Sequence, residues 1–380
     1  MPDSTWKRLA NEVSALKSES LYRHLEVMPQ NNFCSNDYLG ISQKPELANA
    51  ILGAISSGTP IGSTGSRLLS GHHEVWETLE AEFALWLGSE AALFFGSGYA
   101  ANVGLLSAIL QEKDTVFSDS QNHASLIDGI RLSPAQKIIF PHLDLDFLES
   151  ALKDKSRSTG ERFIVVESIF SMDGDQTPIT DLCELADRYQ ANVIVDEAHA
   201  TGVLGPSGRG VVAEAGNADA VFARIHTCGK ALASSGAFVA GSMHLKEFLI
   251  NRARTFLFST ALPPYMAIQI STALRLAEAA SSERLHLESL GNRLRKKLRN
   301  GGFDYGNSQS HIVPVFLGTN ETAVRVGQEL TDKGFAVRAV RPPTVPDGTS
   351  RLRLSLNSMI SEQESDGLVD TLSSLQIQIK

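Results

Sequence analysis

Lys230 stands in Arg224-Ile-His-Thr-Cys-Gly-Lys-Ala-Leu-Ala233, just after an apolar run, Ala220-Val-Phe-Ala223, that reads as a buried strand. Gly229 leaves room beside it, and small residues follow: Ala231, Ala233, Ser234, Ser235 and Gly236. A lysine crowded in this way loses water. That disfavours its ammonium form and leaves a nucleophilic amine able to form a Schiff base. Taken alone, a lysine is far more often a solvated surface charge, so its companions decide. Upstream lie Asp196-Glu-Ala-His199, His123 within Ser120-Gln-Asn-His-Ala-Ser-Leu126, Ser171 within Glu167 to Asp175, and the turn Gly96-Ser97-Gly98-Tyr99. Each has a plain reading: Asp196 as a helix cap, His123 and His199 as satisfied half-buried imidazoles, the glycine turn as only a tight turn.

The elements around these residues give them a common address. Ala91–Phe95, Thr115–Ser118, Ile138–Phe140, Phe163–Val166 and Val193–Val195 read as short buried strands. They alternate with helices over His72–Leu87, Gly98 to Leu110, Leu145–Leu152 and Leu182–Tyr189. Val75, Leu79, Phe83, Trp86 and Leu87 form the buried stripe of the first of these, and Gly88 stands at its C-terminal cap position. The rhythm predicts an α/β fold with a mostly parallel sheet flanked by helices, where ligands sit outside the carboxyl ends of strands. Ser97, Gly98 and Tyr99 then open a helix whose free N–H groups suit an anion. A smaller α+β C-terminal domain follows, with strands at Ile312–Leu317, Ala336–Val340 and Arg351–Leu356. A helix spans Ala323–Leu330, and Ser361 with Glu364 makes a capping box. The expected divisions are a helical segment over 1–40, a large domain over 41–270 and a small one over 271–380. Trp6, Leu9, Val13 and Leu16 mark an amphipathic start within residues 1–27. In Arg351-Leu-Arg-Leu-Ser-Leu356 the arginines share one face. That is either a half-exposed strand, with Arg351 at its solvent edge, or an arginine aimed at a substrate carboxylate. The loop Ile61–Gly71 is either a solvent connection or a backbone that approaches a ligand.

The chain has 380 residues, a net charge of −9 and three separated cysteines, Cys34, Cys183 and Cys228. An acidic chain of this kind argues against nucleic-acid and anionic-membrane partners. Unpaired cysteines without metal spacing suit a reducing cytoplasm and predict no metal site. The uncharged stretch Ala91–Leu110 carries Gly96, Gly98 and Asn102, which fit strand, turn and helix better than a membrane span.

Together, a phosphate-binding turn, a strand-end Asp, a His three residues on and a later Lys are explained by pyridoxal 5'-phosphate chemistry. The motifs Ser35-Asn-Asp-Tyr-Leu-Gly40, Gly62-Ser-Thr-Gly-Ser-Arg-Leu-Leu-Ser-Gly71, Asn122-His-Ala-Ser125, Phe170-Ser-Met-Asp-Gly174, Asp196-Glu-Ala-His199 and Thr227-Cys-Gly-Lys230 carry a resemblance from about Asn31 to the C-terminus. By them the chain resembles the α-oxoamine synthase family of fold-type-I pyridoxal-phosphate transferases, which have the aspartate-aminotransferase-like fold. The resemblance implies that Lys230 is the Schiff-base lysine, Asp196 pairs with the pyridinium, His123 stacks on the ring, and His199 and Ser171 reach its oxygen. It implies that Ser97, Gly98, Tyr99 and Thr227 border the phosphate, and that Ser259 and Thr260 reach the phosphate of the other subunit of a homodimer. Arg353 would take the amino-acid carboxylate, Asn36 would line the substrate site, Arg23 would stand near the acyl entrance, and Arg341 would also bind substrate. Phe258-Ser-Thr-Ala-Leu-Pro-Pro264 and Arg341-Pro-Pro-Thr-Val-Pro346 favour a member that joins L-alanine to a pimeloyl thioester of coenzyme A or acyl carrier protein. The alternative is a glycine-using member. Arg293, Arg295, Lys296, Lys297 and Arg299 form either a basic rim for an acidic carrier or a solvated helix face.

Overall fold

A computed structural model describes residues 3–28, 31–154 and 160–375. The chain divides into two compact units. One comprises residues 37–170 and 176–284; the other comprises 1–36, 171–175 and 285–380.

The larger unit is built on a seven-stranded sheet. Its strands are β1 (Ala91–Phe95), β2 (Thr115–Asp119), β3 (Gln136–Phe140), β4 (Arg162–Glu167), β5 (Asn192–Asp196), β6 (Val221–Thr227) and β7 (Ala237–Gly241), in the order β1-β7-β6-β5-β4-β2-β3. Strands β6, β5, β4, β2 and β3 pair in parallel, and only β7 runs against its neighbours. Both faces are covered, which is why β1 and β2 are buried throughout and β1 reads as a continuous apolar run. On one face Leu93, Phe95, Val165, Ile194, Ile225 and Val239 meet Leu105 and Leu106 of the helix Gly98–Ile109. On the other the helix Glu74–Leu87 lays Trp76 on Phe94 at 4.5 Å and Phe83 on Phe238 at 3.8 Å. Removing a buried aromatic ring of this kind costs about 3–5 kcal/mol. His73 caps the start of that helix, and Gly88 ends it at φ 63°, in the left-handed region. Glu80, buried beneath the helix, binds Arg67, Lys246 and the Phe94 N–H.

Strand β7 has no counterpart in the sequence reading. Its residues, Ala237-Phe-Val-Ala-Gly241, are mostly small, and it closes the gap between β1 and β6. Gly236 before it is required: at φ 91° a Cβ would lie 2.2 Å from the Phe94 ring.

The smaller unit holds an antiparallel sheet of β8 (Ile312–Gly318), β9 (Arg338–Val340) and β10 (Ser350–Ser355), with β10 in the middle. The expected strand Ala336–Val340 is interrupted at Val337. Phe335–Ala336 instead pairs in parallel with Asn31–Asn32. The helices Asn320–Asp332 and Glu362–Ser374 complete it, the latter opened by the Ser361/Glu364 capping box. The N-terminal helix ends at Ser18 rather than running on to residue 27, because Leu21 and Tyr22 N–H both turn back to Leu16 O. Its stripe of Trp6, Leu9, Val13 and Leu16 is exposed.

Candidate active site

In the larger unit the carboxyl ends of β1, β2, β5 and β6 each deliver side chains singled out above. After β6, Lys230 sits in a loop closed by three backbone bonds. Ala233 N–H donates to Lys230 O, Ser234 N–H to Cys228 O, and Cys228 N–H to Gly236 O. Lys230 is half-buried, beside buried Ala231 and Leu232. Gly229 leaves room beside it, although a Cβ there would also fit, meeting only Ser234 O at an ordinary 3.6 Å.

Strand β5 ends in Asp196, which is 4% exposed. Its Oδ1 accepts from the Ala198 N–H at 2.9 Å and its Oδ2 from Asn102 Nδ2 at 2.7 Å. Neither donor carries a charge, so this buried carboxylate suits a cationic N–H from a ligand better than it suits an apolar void. Three residues on, His199 is 5% exposed. Its Nε2 lies 2.9 Å from Lys230 Nζ, and its Nδ1 lies 2.6 Å from the hydroxyl of Tyr38. The turn carrying both residues rests on fully buried Glu197, which accepts from Ser168 Oγ and from the Val211 and Val212 N–H groups. Burial pushes the Glu197 carboxyl up, and those bonds pull it back.

After β2, His123 caps the helix Ala124–Arg131, and its Nδ1 is tied to Ser125 Oγ at 2.7 Å. Ser125 Oγ in turn accepts from Asn102 Nδ2 at 2.9 Å, so Asn102 joins Asp196 and His123 in one network. The His123 pKa is lowered, first by loss of water on burial. The Lys230 charge adds to this, while Asp196 opposes it.

After β1, Ser97 caps the helix Gly98–Ile109 by accepting from the Ala100 N–H at 3.0 Å. Gly98 is required there, since a Cβ would lie 2.7 Å from Thr227 Cγ2. The first turn of that helix and the end of β6 are therefore in contact, and the outward N–H groups of such a turn suit a phosphate. Tyr99 points to Asp128 through its hydroxyl, a bond that raises its pKa. Ser259 and Thr260 are exposed beside exposed Phe258. Ala261 N–H donates to Gly65 O, tying this stretch to the glycine-serine loop, where a Cβ on Gly71 would meet Gly65 O at 2.1 Å.

The smaller unit carries a second group. Arg353, on β10, donates from Nε to Ser171 O at 2.5 Å, and from Nη1 to Ser355 Oγ at 2.6 Å and Asn36 Oδ1 at 3.2 Å. None of these acceptors is a carboxylate, so the guanidinium is positioned without being neutralised by them. Arg351 is not at a solvent edge, the place that the half-exposed-strand alternative would give it. It is 3% exposed, ion-paired with Asp173 and 4.3 Å from the Phe316 ring centre. Alternation put both arginines on one face but could not show that Asp173 and Phe316 cover that end of it.

Arg23 and Arg341 line a cavity of about 400 Å³ with Tyr22, Val324, Val337 and Arg338. Arg23 donates to Pro342 O at 3.1 Å, and Arg341 to Ser20 O. The Arg341 pKa is lowered by burial first, then by the like charges of Arg23 and Arg338. The basic rim is a salt-bridged helix face. Arg293 pairs with Asp366 and Glu362, Lys297 with Asp370, and Arg295 donates to Ser310 O.

Tyr38, Asn102 and Ser125 were quoted within motifs but given no role. The bonds of Tyr38 to His199 and of Asn102 to Asp196 join residues far apart in sequence, and nothing in local spacing reveals them, whereas Ser125 lies only two residues from His123.

Residues 29–372 match the family described as aminotransferase class I and II. An 8-amino-7-oxononanoate synthase of Azoarcus sp. is 44% identical over 344 residues, covering 90% of this chain and 87% of that one. Another, of Citrifermentans bemidjiense, is 41% identical over 362 residues, covering 91% and 92%. Among solved structures, Sphingomonas wittichii serine palmitoyltransferase aligns with a TM-score of 0.89 at 27% identity, over 98% of this chain and 97% of that one. The 8-amino-7-oxononanoate synthase of Francisella tularensis aligns with a TM-score of 0.77 at 27% identity, over 90% and 96%. A strand-end lysine, a buried carboxylate with neutral donors and a helix N-terminus fit pyridoxal phosphate, and the matches agree: the chain belongs to the class I and II aminotransferase family and, within it, to the α-oxoamine synthases, pyridoxal-phosphate-dependent enzymes of fold type I.

Proposed function

We propose that this enzyme joins L-alanine to a pimeloyl thioester and releases 8-amino-7-oxononanoate, carbon dioxide and the carrier thiol, a step of biotin biosynthesis. The observation that carries the reading is the half-buried Lys230 amine 2.9 Å from His199, on a strand-end platform that also holds Asp196. The relatives' names support the substrates. Bound pyridoxal phosphate supplies an electron sink for negative charge at the alanine Cα.

The chain's own groups do the rest. Lys230 would anchor the cofactor and, once released, hold and return the Cα proton at Nζ. Asp196 would hold a cationic ring N–H, helped by the donors on both its oxygens. His123 would cover the ring, with His199 and Ser171 at its oxygen. Ser97, Gly98, Tyr99 and Thr227 would hold the phosphate. Arg353, with Asn36, would fix the alanine carboxylate through a planar fork. Arg23 and Arg341 would receive the acyl substrate beside their cavity. The new carbon–carbon bond joins the alanine Cα to the thioester carbonyl, the thiolate leaves, and the alanine carboxyl departs as carbon dioxide.

The assembly belongs to the same reading. A homodimer with Ser259 and Thr260 serving the other subunit's phosphate is supported by their exposure and that of Phe258. The free cysteines Cys34, Cys183 and Cys228 support a cytoplasmic location. Among the described residues no helix is long and apolar enough to cross a membrane.

The test is product identification by mass spectrometry from purified holoenzyme. Alanine is supplied with pimeloyl-coenzyme A or pimeloyl-acyl carrier protein, with glycine and serine in parallel. A nine-carbon amino-keto acid from alanine is expected. Turnover with glycine alone would favour the glycine C-acetyltransferase or 5-aminolevulinate synthase reading.

A further inference from the structure

We propose that Tyr38 is a positioning residue: its buried hydroxyl fixes His199 as the Nε2–H tautomer and thereby favours the neutral, nucleophilic form of Lys230. The inference rests on the reading of Lys230 as the lysine that binds the cofactor. Three polar groups stand in a line. The Tyr38 hydroxyl is 2.6 Å from His199 Nδ1, and His199 Nε2 is 2.9 Å from Lys230 Nζ. Tyr38 is 0% exposed and His199 5%, so water offers little competition along this line. Tyr38 is itself anchored by the turn that holds it, in which Gly40 N–H donates to Asp37 O and Ser42 N–H to Asp37 Oδ2.

With the imidazole neutral, the proton inventory of these groups allows two arrangements. An ammonium has donors only, so a charged Lys230 needs the lone pair of Nε2. The imidazole hydrogen would then sit on Nδ1 and point at the phenol oxygen. A neutral amine has a lone pair, which accepts from Nε2–H, and the free lone pair of Nδ1 accepts from the Tyr38 O–H. A phenol is a good donor and a poor acceptor, whereas an imidazole nitrogen is a good acceptor. The contact at Nδ1 therefore favours the second arrangement, and the choice made at Tyr38 is passed across the ring to the lysine. Nearby, the Asp196 charge raises the His123 pKa and the Lys230 charge lowers it.

The consequence is for covalent attachment of the cofactor. The amine nitrogen bonds to the aldehyde carbon, its two hydrogens leave with the aldehyde oxygen as water, and an ammonium cannot begin this step because it has no lone pair. Removing the Tyr38 hydroxyl releases the tautomer and weakens the bias against the ammonium.

The experiment uses the full-length chain, freed of cofactor and reloaded with pyridoxal 5'-phosphate. The wild type and Tyr38→Phe are followed by their visible absorbance. Near pH 7 the variant is expected to load about tenfold more slowly, the equivalent of one buried hydrogen bond. The gap should close as the pH rises toward about 10, where the amine loses its proton unaided. Nitrogen-15 spectra of the cofactor-free wild type should show His199 Nδ1 without hydrogen and Nε2 with it, and Tyr38→Phe should show a mixture. Equal loading near neutral pH, or a wild-type spectrum with hydrogen on Nδ1, overturns the proposal. The wild-type spectrum decides the matter even if the variant does not fold. Borohydride reduction and peptide mass spectrometry separate the two readings. Label on Lys230 with equal loading rates defeats only the role of Tyr38, whereas label on another residue defeats the site itself.

Discussion

Replacing Arg353 by lysine separates substrate recognition from strand packing. Arg353 holds its place through Ser171 O, Ser355 Oγ and Asn36 Oδ1, all neutral acceptors. Its positive charge is therefore available to a carboxylate. Lysine keeps that charge but has neither the second nitrogen nor the planar fork. One charge-assisted hydrogen bond contributes about 1.5–3 kcal/mol, so alanine affinity should fall roughly 10- to 150-fold. Arg351, two residues away, is the control, because it should fail differently. It is 3% exposed, paired with Asp173 and stacked on Phe316, and its Nε donates to Thr349 O at 2.9 Å. Arg351→Met removes the Arg351–Asp173 ion pair, and breaking a pair this well buried costs about 3 kcal/mol in stability. Alanine affinity is read from the change in visible absorbance of the holoenzyme on titration, and stability from thermal melting. Wild-type affinity in Arg353→Lys would refute the carboxylate role. Lost affinity in a fully folded Arg351→Met would move that role to Arg351.

Four further outcomes are expected. Lys230→Ala should take up pyridoxal phosphate without covalent attachment and lose turnover, with mass spectrometry after borohydride reduction showing an unlabelled chain. Asp196→Asn should still bind the cofactor, but exchange of the alanine Cα hydrogen with deuterated solvent should slow by roughly 100- to 1000-fold, as when one charge-stabilising group is lost. Activity should reappear when Lys230→Ala subunits are mixed with the double variant Ser259→Ala, Thr260→Ala, since one mixed dimer then carries one intact site; no recovery after subunit exchange would count against sites shared across a dimer. Glu197→Gln should lower the melting temperature and weaken cofactor binding together, because its amide presents hydrogens to donors that now meet carboxylate oxygen; an unchanged melting curve would show that the turn does not depend on that carboxylate.

The sheet was legible because most of its strands are buried on both faces and appear in the sequence as short apolar runs between turn residues. Strand β7 was not, because Ala237, Ala240 and Gly241 carry too little side chain to distinguish a strand from the crowded loop before it. The N-terminal periodicity correctly marked a helix but not its end at Ser18, which is set by two N–H groups converging on Leu16 O. The basic run of residues 293–299 looked free because its acids, Glu362, Asp366 and Asp370, lie on a helix some seventy residues later. The chemistry-bearing residues stood in recognisable motifs. Their supporting partners did not: the bonds of Asn102 to Asp196 and of Tyr38 to His199 depend on how the chain folds back on itself.

The strand-end platform gains its rigidity from groups that do no chemistry. Asp196 and His199 lie on a tight turn in which the Ala200 and Thr201 N–H groups return to Glu197 O, so one residue's backbone sets the direction of both functional side chains. The Glu197 N–H is bonded to Ile225 O on β6, and its carboxylate is bonded to Ser168, Val211 and Val212. A carboxylate buried this completely is costly unless its oxygens are supplied with donors. Gly210 shows how tight that supply is, since a Cβ there would come within 2.6 Å of the carboxyl carbon. The turn is thus pinned to β6 and to the stretch beginning at Gly210 before any ligand arrives. In the proposed reaction, preorganisation of this kind would let Asp196 and the Lys230–His199 pair stabilise developing charge without first rearranging.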